Sequence, residues 1–328
     1  MAEKSRNETG DVYGAGNGDA YEVVVVGGGA AGLSAALVLG RARRRTLVVD
    51  AGEPRNAPAA HMQGYLTRDG MPPAEFLAEG RREIARYGVE LVKDRAVKAG
   101  REVGGFRVSL AGGREVRARR LILATGLADE LPPVPGVAER FGRDVLHCPY
   151  CHGWEVRDQA FGVLASSALS VHQALMVSQW SKDVTLFLHT VAEADLTDQD
   201  LRRLSAAGVA VVPGEVGGLV VDGDDRLTGV RLADGTVFDR SVVFVAPRMR
   251  PRTDLLEQLG AELNETPHGT YPVTDAHGLT TVPGLWAAGN AASPMEQVIN
   301  AASAGYRAAS LINGELLFED LDAGLPQD

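Results

Sequence analysis

The chain has 328 residues, enough for two domains of ordinary size. Hydrophobic residues make up 45% and charged residues 23%, a balance that excludes a disordered chain and favours a globular one. Acidic residues (43) outnumber basic ones (33), so the formal net charge is -10 and we expect no nucleic-acid partner. Arg41, Arg43, Arg44 and Arg45 form a tight basic cluster, which we interpret as a solvated turn between a helix and a strand.

The N-terminal residues and the apolar runs decide against export and membranes. Residues 1–20 are rich in Gly, Asp and Asn, which predicts a disordered tail that is neither a signal peptide nor an anchor. No apolar run approaches the about 18 residues that a transmembrane helix needs, so we expect a cytoplasmic protein without a membrane partner. The two cysteines are close together in the chain, which indicates chemistry or metal binding rather than a secreted fold stabilised by disulfides.

The first motif is a glycine-rich turn between two apolar strands. Residues 21–26 and 46–50 have the β-branched composition of strands, and the Ala- and Leu-rich stretch between them is typical of a helix. The turn carries G-x-G-x-x-G at Gly27, Gly29 and Gly32, with Asp50 about 20 residues later. Such glycines let a pyrophosphate approach the helix N-terminus, and the carboxylate can accept hydrogen bonds from ribose hydroxyls. The sequence therefore predicts a dinucleotide-binding unit, the alternative being a turn that is merely rich in glycine.

The order of predicted elements occurs twice. The first block continues with one helix and four short strands, predicted at 72–88, 89–92, 106–110, 115–119 and 121–124. A Pro-rich segment at 131–136 then precedes a second series of strands, helix and hairpins, predicted at 160–164, 167–180, 184–188, 219–238 and 242–246.

From about residue 250 the chain is expected to rejoin the first block. We therefore predict an α/β fold with two Rossmann-like, three-layer ββα nucleotide-binding domains, the second inserted in the first. The expected domains are residues 21–126 together with 250–320, and residues 127–249.

The second motif is a close cysteine pair. Residues 147–152 read His-Cys-Pro-Tyr-Cys-His, and the C-x-x-C spacing of Cys148 and Cys151 suits a small disulfide that opens and closes. A neighbouring histidine can lower the pKa of one thiol, and His152 is the first candidate base, with His147 second. Zinc is an alternative because imidazole and thiolate both bind it, but the chain has no other cysteines for a second pair of ligands, so we predict no metal. A purely structural pair is a further alternative.

Taken together, the glycine turn, the central C-x-x-C and a late Ala-Ala-Gly-Asn turn before a helix resemble the low-molecular-weight thioredoxin reductase family of flavoproteins. The resemblance extends over nearly the whole chain from Tyr21. It implies that the first motif binds FAD, that the C-x-x-C lies against the isoalloxazine, that two short linkers join the domains, and that the protein is a homodimer.

The resemblance also assigns cofactor contacts. The first turn and Asp50 would hold the diphosphate and ribose, Val97 would meet adenine, and Asn290 would bond the ribityl chain where the family has aspartate. The full set of implied FAD residues is Gly27, Gly29, Ala30, Ala31, Gly32, Asp50, Val97, Thr125, Gly126, Gly289, Asn290, Gln297 and Val298. Gln297 and Val298 would present a helix N-terminus to the flavin pyrimidine.

The second nucleotide turn departs from the family. Residues 163–170 read Val-Leu-Ala-Ser-Ser-Ala-Leu-Ser without the expected glycines, and His189-Thr-Val replaces the His-Arg-Arg that binds the 2′-phosphate of NADPH. The Cys-Pro-Tyr-Cys-His-Gly-Trp-Glu segment is similar to that of the FAD-dependent dithiol oxidases of gliotoxin and holomycin biosynthesis. This resemblance implies that Arg55, Asn56 and His61 line the FAD site, although a loop salt bridge or cap suits them equally.

The expected function is therefore FAD-dependent oxidation of a small-molecule dithiol to a disulfide, with O2 as acceptor and H2O2 as product. Electrons would enter through the Cys148–Cys151 disulfide, and His152 would shuttle protons. Two alternatives stay open: a thioredoxin or disulfide reductase that uses NADPH or ferredoxin, and a redox-sensing flavoprotein module.

Overall fold

The computed structural model describes residues 18–167 and 170–325. These form two compact units. The first unit contains the chain up to Ala57, Ala74–Ala128 and the chain from Met249, and the second contains Pro58–Pro73 and Asp129–Arg248. Residues 1–17, most of the predicted tail, and residues 168 and 169, in a predicted helix, lie outside the described residues.

A seven-stranded sheet forms the centre of the first unit. Its strands are β1 (Ala20–Val26), β2 (Thr46–Asp50), β3 (Glu90–Lys93), β4 (Ala96–Glu102), β5 (Gly105–Leu110), β6 (Glu115–Leu123) and β19 (Leu285–Ala287). The order is β3-β2-β1-β6-β5-β4, with β19 also paired to β6. β1, β2, β3 and β19 join parallel ladders, whereas β4, β5 and the first half of β6 form an antiparallel meander.

The first unit also contains four helices and four shorter strands. The helices are α1 (Ala30–Arg41), α2 (Pro73–Ala85), α7 (Asp254–Gln258) and α8 (Val298–Ala323). Two of these strands, β17 (Leu263–Thr266) and β18 (Gly269–Pro272), form a two-stranded sheet within the unit. The other two, β7 (Leu127–Glu130) and β16 (Arg248–Pro251), form a two-stranded sheet that also includes the first and last residues of the 129–248 segment. A short 3-10 turn at Gly289–Ala291 follows β19.

Alternation along β1 places its valines in two separate cores. Val23 and Val25 pack with α1 and α8, whereas Val24 and Val26 pack with the meander and α7. Successive side chains of a strand point to opposite faces, so a strand that is apolar at every position must be covered on both. Because β1 is apolar on both faces, the parallel sheet has helices on one side and a β layer with α7 on the other.

The second unit repeats this architecture. Its five-stranded parallel sheet has the order β11-β10-β9-β15-β8, formed by β8 (Val145–Leu146), β9 (Phe161–Leu164), β10 (Val184–Phe187), β11 (Val209–Val212) and β15 (Val242–Val245). An antiparallel meander consists of β12 (Val216–Val221), β13 (Leu227–Leu232) and β14 (Val237–Asp239). The helices are α3 (Val137–Arg140), α4 (Pro149–His152), α5 (Ser170–Val177) and α6 (Asp198–Ala206), with a 3-10 turn at Glu193–Asp195.

The predicted α/β fold class with Rossmann-like parallel sheets is confirmed. Two local predictions were wrong. The strands predicted at 115–119 and 121–124 are one strand, β6, which pairs with β5 through its first half and with β19 through its second. No helix within the described residues is long and apolar enough to cross a membrane.

The basic cluster is the second wrong prediction, because Arg44 is not solvated. Its guanidinium is largely buried and forms ion pairs with Glu22 at 2.6 Å and with Asp320 at 2.7 Å. Its Nε also donates to Asn313 at 2.9 Å. Arg44 thus connects the start of the central strand to α8, a contact between positions far apart in the chain that charge clustering alone does not predict.

Candidate functional site

The glycines of the first turn meet different surroundings. Gly27 adopts φ of +110°, and a Cβ there would overlap the carbonyl of Ala124. A Cβ on Gly32 would overlap the carbonyl oxygen of Gly27. Gly29 differs, since a Cβ there would meet no atom within 4 Å. The protein itself therefore requires Gly27 and Gly32, whereas Gly29 borders open space.

That space lies at the N-terminus of α1. Gly29 is the N-cap of the helix, no side chain among the described residues caps it, and its first turn carries no acidic residue. Ala30 and Ala31 begin the helix, so their backbone N–H groups belong to its first turn and have no partner within the helix. Uncapped N–H groups and the helix dipole together favour an anion. The turn therefore fits the pyrophosphate of a dinucleotide.

Asp50 at the end of β2 is held from both sides. One carboxylate oxygen accepts the N–H groups of Gly28 at 3.2 Å and Gly52 at 3.1 Å, and the other pairs with Arg81 at 3.1 Å. A carboxylate has about four acceptor positions, so Asp50 can still accept a ribose hydroxyl. A Cβ on Gly28 would lie 2.5 Å from the Asp50 carboxyl carbon.

The sequence places Gly28 within the turn at 27–32 but does not predict its contact with Asp50, and it does not predict Arg81 at all. The run of three glycines at 27–29 was the available signal for Gly28, because the motif accounts only for the first and third. Arg81 lies on α2 and has no local signal.

Three more of the implied FAD residues, Val97, Thr125 and Gly126, also belong to the first unit. The Thr125 hydroxyl donates to the carbonyl of Arg252 at 3.1 Å, and Arg252 donates its N–H to the carbonyl of Gly126 at 3.2 Å. These bonds fix the chain where it leaves β6. Val97 lies on β4 and is 48% exposed, so its side chain is available to a ligand.

Asn290 organises the loop before α8. Its Nδ2 donates to the carbonyls of Ser293 at 3.0 Å, Pro294 at 3.3 Å and Glu296 at 3.2 Å. Its Oδ1 accepts from Arg55 at 3.3 Å. A carboxylate could not donate to three carbonyls, which gives the asparagine a structural role that the family's aspartate could not fill.

The N-terminus of α1 packs against the second turn of α8 and against the loop before that helix. Gly305 packs against the backbone of Ala31, where a Cβ would overlap the Ala31 carbonyl, and a Cβ on Gly289 would lie 3.0 Å from the Ala31 Cβ. Gln297 is the N-cap of α8, and the first turn of the helix from Val298 carries no acidic residue. The first unit thus contains two helix N-termini that lack acidic side chains, and the residues present fit the extended, polyphosphate-bearing FAD.

The structure brings most of the predicted cofactor residues into this unit. Asn56 is half-buried there, whereas His61 is exposed and belongs to the second unit. Glu296, next to the helix N-cap, was not predicted. Burial raises the pKa of its carboxyl, and one of its oxygens is buried without a hydrogen-bond partner among the described residues.

The cysteine pair occupies a single helical turn in the second unit. Cys148 is the N-cap of α4, Pro149 is its first residue and Cys151 its third, and the Cys151 N–H donates to the Cys148 carbonyl at 3.2 Å. Proline suits a first helical position because it has no N–H to satisfy. Both cysteines are half-buried, and the two sulfurs are not joined by a disulfide in this structure.

His152 ends this helical turn. Neither ring nitrogen has a hydrogen-bond partner among residues 18–167 and 170–325. Burial lowers the pKa of His152 below its usual range, against the smaller opposite effects of the Glu155 carboxylate and the Cys148 backbone. The ring is therefore neutral at physiological pH and can accept a proton. His147, the second candidate, precedes Cys148, and its carbonyl accepts from Gln173 at 2.8 Å.

Exposed aromatic residues flank the cysteines. Tyr150 is 70% exposed and Trp154 65% exposed. The Tyr150 ring meets Trp180 edge-on at 5.8 Å, and the Arg157 guanidinium lies 4.1 Å from the centre of the Trp154 ring. These rings offer apolar surface to a molecule that approaches the pair.

In the described part of the second nucleotide turn, Ser166 is bonded within its own unit. The Ser166 N–H donates to the hydroxyl of Ser170 at 3.1 Å, and the Ser166 hydroxyl donates to the carbonyl of Ala246 at 3.1 Å. His189 accepts the Val216 N–H through Nδ1 at 3.0 Å, and burial lowers its pKa. Acidic residues follow it at Glu193–Asp195. A neutral imidazole and carboxylates would not hold the 2′-phosphate of NADPH.

In the part of the chain that the structure describes, no group of three or more His, Cys, Asp or Glu side chains is arranged to hold a metal ion.

Comparison with known proteins identifies the family. A family model described as pyridine nucleotide-disulphide oxidoreductase matches residues 21–305. The chain is 33% identical to thioredoxin reductase sirT of Leptosphaeria maculans, over 92% of this chain and 96% of that protein. The solved structure of HlmI is 50% identical, with a TM-score of 0.87 over 92% of this chain and 94% of that one. An oxidoreductase from Agrobacterium tumefaciens is 40% identical, with a TM-score of 0.85 over 91% and 99%.

These matches confirm the predicted resemblance to thioredoxin reductase-like flavoproteins, the FAD cofactor and the thiol–disulfide oxidoreductase class. The chain therefore belongs to the pyridine nucleotide-disulphide oxidoreductase family.

Proposed function

We propose that the protein is an FAD-dependent dithiol oxidase, which joins two thiols of one small molecule as a disulfide and passes the electrons to O2, giving H2O2. The observation that carries the proposal is that Ser166 of the second nucleotide turn is bonded within its own unit, the one that also presents the cysteine pair. An NADPH-dependent reductase needs this turn for the nicotinamide cofactor, and here its Ser166 is bonded to the Ser170 hydroxyl and to the Ala246 carbonyl.

We assign FAD to a domain formed by residues 21–126 with 250–320, most of which belong to the first unit, and the cysteine chemistry to residues 127–249. The N-termini of α1 and α8 would hold the anionic and polar parts of the cofactor, with Asp50 at its ribose. FAD, when bound, supplies a two-electron acceptor that re-forms the disulfide from the reduced cysteine pair.

The cysteine pair carries the thiol exchange. A substrate thiolate attacks the Cys148 sulfur of the disulfide, forming a mixed disulfide and releasing the Cys151 thiolate. The second substrate thiolate then attacks the substrate sulfur of the mixed disulfide, so the cyclic product leaves and Cys148 is released. Two electrons have passed from the dithiol to the pair. His152 accepts the proton of the first substrate thiol, because its ring is neutral and it follows Cys151 in the chain, and the proton of the second passes to the Cys148 thiolate that is released.

A dithiol is the electron source that the second unit allows. A reductase of thioredoxin, fed by NADPH or ferredoxin, is the second candidate, and the name of the sirT relative favours it. The neutral His189 and the acidic 3-10 turn after it argue against the NADPH form of this candidate.

We further propose that the protein is a cytoplasmic homodimer. The support for a dimer is the apolar outer face of α8, where Leu311, Phe318 and Leu321 are exposed at helical spacing. The support for the cytoplasm is the close pair of cysteines, whose chemistry requires that they can be reduced.

The proposal is tested by anaerobic bleaching of the flavin together with oxygen uptake. Small dithiols are expected to bleach the flavin and NADPH to leave it oxidised. Cys148→Ser is expected to lower dithiol-dependent oxygen uptake by about 1,000-fold, as for removal of a nucleophile, without changing flavin content. Bleaching by NADPH as fast as by dithiols would establish the reductase, and uptake that is unaffected by Cys148→Ser would remove Cys148 from the reaction.

A further inference from the structure

The cysteine segment leaves the second sheet from its shortest strand. β8 lies at the edge of the sheet and pairs with β15 through only two registers, Val145 with Val243 and Leu146 with Phe244. The next residues along the two strands are His147 and Val245, at which this pairing stops. Cys148 follows immediately. Beyond Leu146, the position of Cys148 therefore depends on the groups that bind the His147 and Val245 carbonyls in place of strand pairing.

Gln173 replaces it. Its side-chain amide nitrogen donates to the His147 carbonyl at 2.8 Å and to the Val245 carbonyl at 3.2 Å. One amide group thus bridges the carboxyl ends of two neighbouring parallel strands. The side chain is only 8% exposed, so water does not compete freely for these carbonyls.

The bridge comes from the helix that would bind a nucleotide in a reductase-like unit. Gln173 lies on α5, one turn after Ser170, which accepts the Ser166 N–H. Ser166 in turn donates to the carbonyl of Ala246, the residue after Val245. Side chains of the turn and of α5 therefore satisfy the strand ends at which a parallel sheet ordinarily binds its ligand.

We propose that Gln173 is a positioning residue for the redox pair: by holding the His147 carbonyl it fixes the direction in which Cys148 leaves β8 and enters α4. The inference rests on the proposed redox function of the pair. Cys148 is the N-cap of α4, so a rotation at His147 moves its sulfur relative to Cys151. A disulfide tolerates a narrower range of sulfur positions than two free thiols do. By holding Cys148 in one direction, the bridge therefore favours the disulfide over the dithiol.

The chemistry of the bridge specifies an amide. Both contacts are to carbonyl oxygens, so the side chain must donate twice, and a carboxylate would face two acceptors. The Gln173 Oε1 is buried without a hydrogen-bond partner among the described residues. An apolar side chain of the same length would fill the space without making the bridge.

The test is the thiol–disulfide equilibrium of the FAD-loaded full chain in glutathione buffers, read by alkylation of the two cysteines and mass spectrometry. Gln173→Met is expected to shift the equilibrium constant about tenfold toward the dithiol, about 30 mV for this two-electron couple. The rate of Cys148 alkylation in the reduced protein is expected to rise by a similar factor. Gln173→Glu is expected to shift the equilibrium in the same direction, because its carboxylate cannot donate to either carbonyl.

Two control variants separate positioning from loss of folding. Gln179→Met makes the same change at an exposed glutamine just beyond α5 and is expected to leave the couple unchanged. Ser166→Ala removes a bond at the same sheet edge that does not reach the cysteine segment, and it too should leave the couple unchanged. If Gln173→Met fails to retain FAD, Gln173→Asn, whose amide is one methylene shorter, is measured with the same expected direction.

The outcomes are distinguishable. An unchanged couple in a folded Gln173 variant, or an equal shift in Ser166→Ala, overturns the positioning role. Absence of any disulfide in the wild-type protein across the glutathione range would instead contradict the proposed redox function of the pair, and with it the inference that rests on it.

Discussion

Gly29 and Gly32 belong to one motif but serve different partners. Gly32 is required by the protein, since a side chain there would overlap the carbonyl of Gly27. Gly29 touches nothing that a Cβ would disturb, and its φ of -80° is open to any residue. The space in front of Gly29 thus has no function in the protein alone.

The two glycines therefore predict opposite phenotypes on substitution to alanine. Gly29→Ala should leave the thermal unfolding of the FAD-free protein unchanged but weaken FAD binding at least tenfold, about 1.4 kcal/mol, because the Cβ enters the cofactor's space. Gly32→Ala should destabilise the protein by about 3 kcal/mol with or without FAD, as overpacking does. Thermal melts and fluorescence titration with FAD measure both. Unaltered FAD affinity in Gly29→Ala would contradict the assignment of this space to the cofactor.

Single residues also mark the limit of prediction from sequence. The C-x-x-C pair and the glycine turn are recognisable because their chemistry requires residues at fixed spacing along the chain. Gln173 has no such signal, since its partners are 26 and 72 residues away and its amide is not unusual on a helix. Asn290 was noticed as a departure from the family, but its three bonds to loop carbonyls depend on a loop conformation that the sequence does not state.

At the scale of elements, the apolar pattern of the sequence predicted those strands and helices whose bounds are set by burial of apolar side chains. β2 was predicted with its observed bounds, Thr46–Asp50, because a short β-branched run in a parallel sheet is buried on both faces. α6 was missed because it is short and polar, with Leu204 its one buried residue among those described, although Leu201 and Leu204 mark an apolar side and Thr197 caps it. β6 was divided in two because of its arginines. Arg119 and Arg120 continue the strand through ion pairs with Glu319 of α8, which local sequence cannot reveal.

The close packing of α1 on α8 predicts that a larger residue at Gly305 destabilises the protein. Gly305→Ala adds a methyl group that would overlap the Ala31 carbonyl of α1, and neither helix can yield without moving its N-terminus. We expect a loss of about 3 kcal/mol in the free energy of unfolding, at the upper end for overpacking because the obstacle is backbone. FAD retention should fall in parallel, since both helix N-termini are proposed to face it.

The comparison for this prediction is Ser310→Ala, which shortens an exposed side chain on the same helix. Denaturant unfolding and the flavin absorbance of the purified protein provide the two measurements. Wild-type stability in Gly305→Ala would mean that the helices can separate freely, and it would contradict the close contact described for them.

At the scale of the whole molecule, α8 is apolar on two sides. Its inner side packs into the core of the first unit through Ile312 and Leu316. Its outer side exposes Leu311, Phe318 and Leu321, and Phe318 is 65% exposed. A helix that is hydrophobic on both faces is normally covered on both. A second copy of the chain is the occupant that symmetry makes simplest, because in a twofold dimer the same stripe meets itself.

Phe318→Gln should therefore weaken self-association. Truncation of a central aromatic anchor typically costs about 2 kcal/mol, so the dimer dissociation constant is expected to rise at least about 30-fold. Sedimentation velocity over a concentration series measures this rise. Val103→Gln, at another exposed apolar side chain away from α8, is the matched control and should sediment as the wild type does. A wild-type chain that sediments as a monomer at micromolar concentration, or a Phe318→Gln variant that stays fully dimeric, would show that α8 does not form the dimer contact.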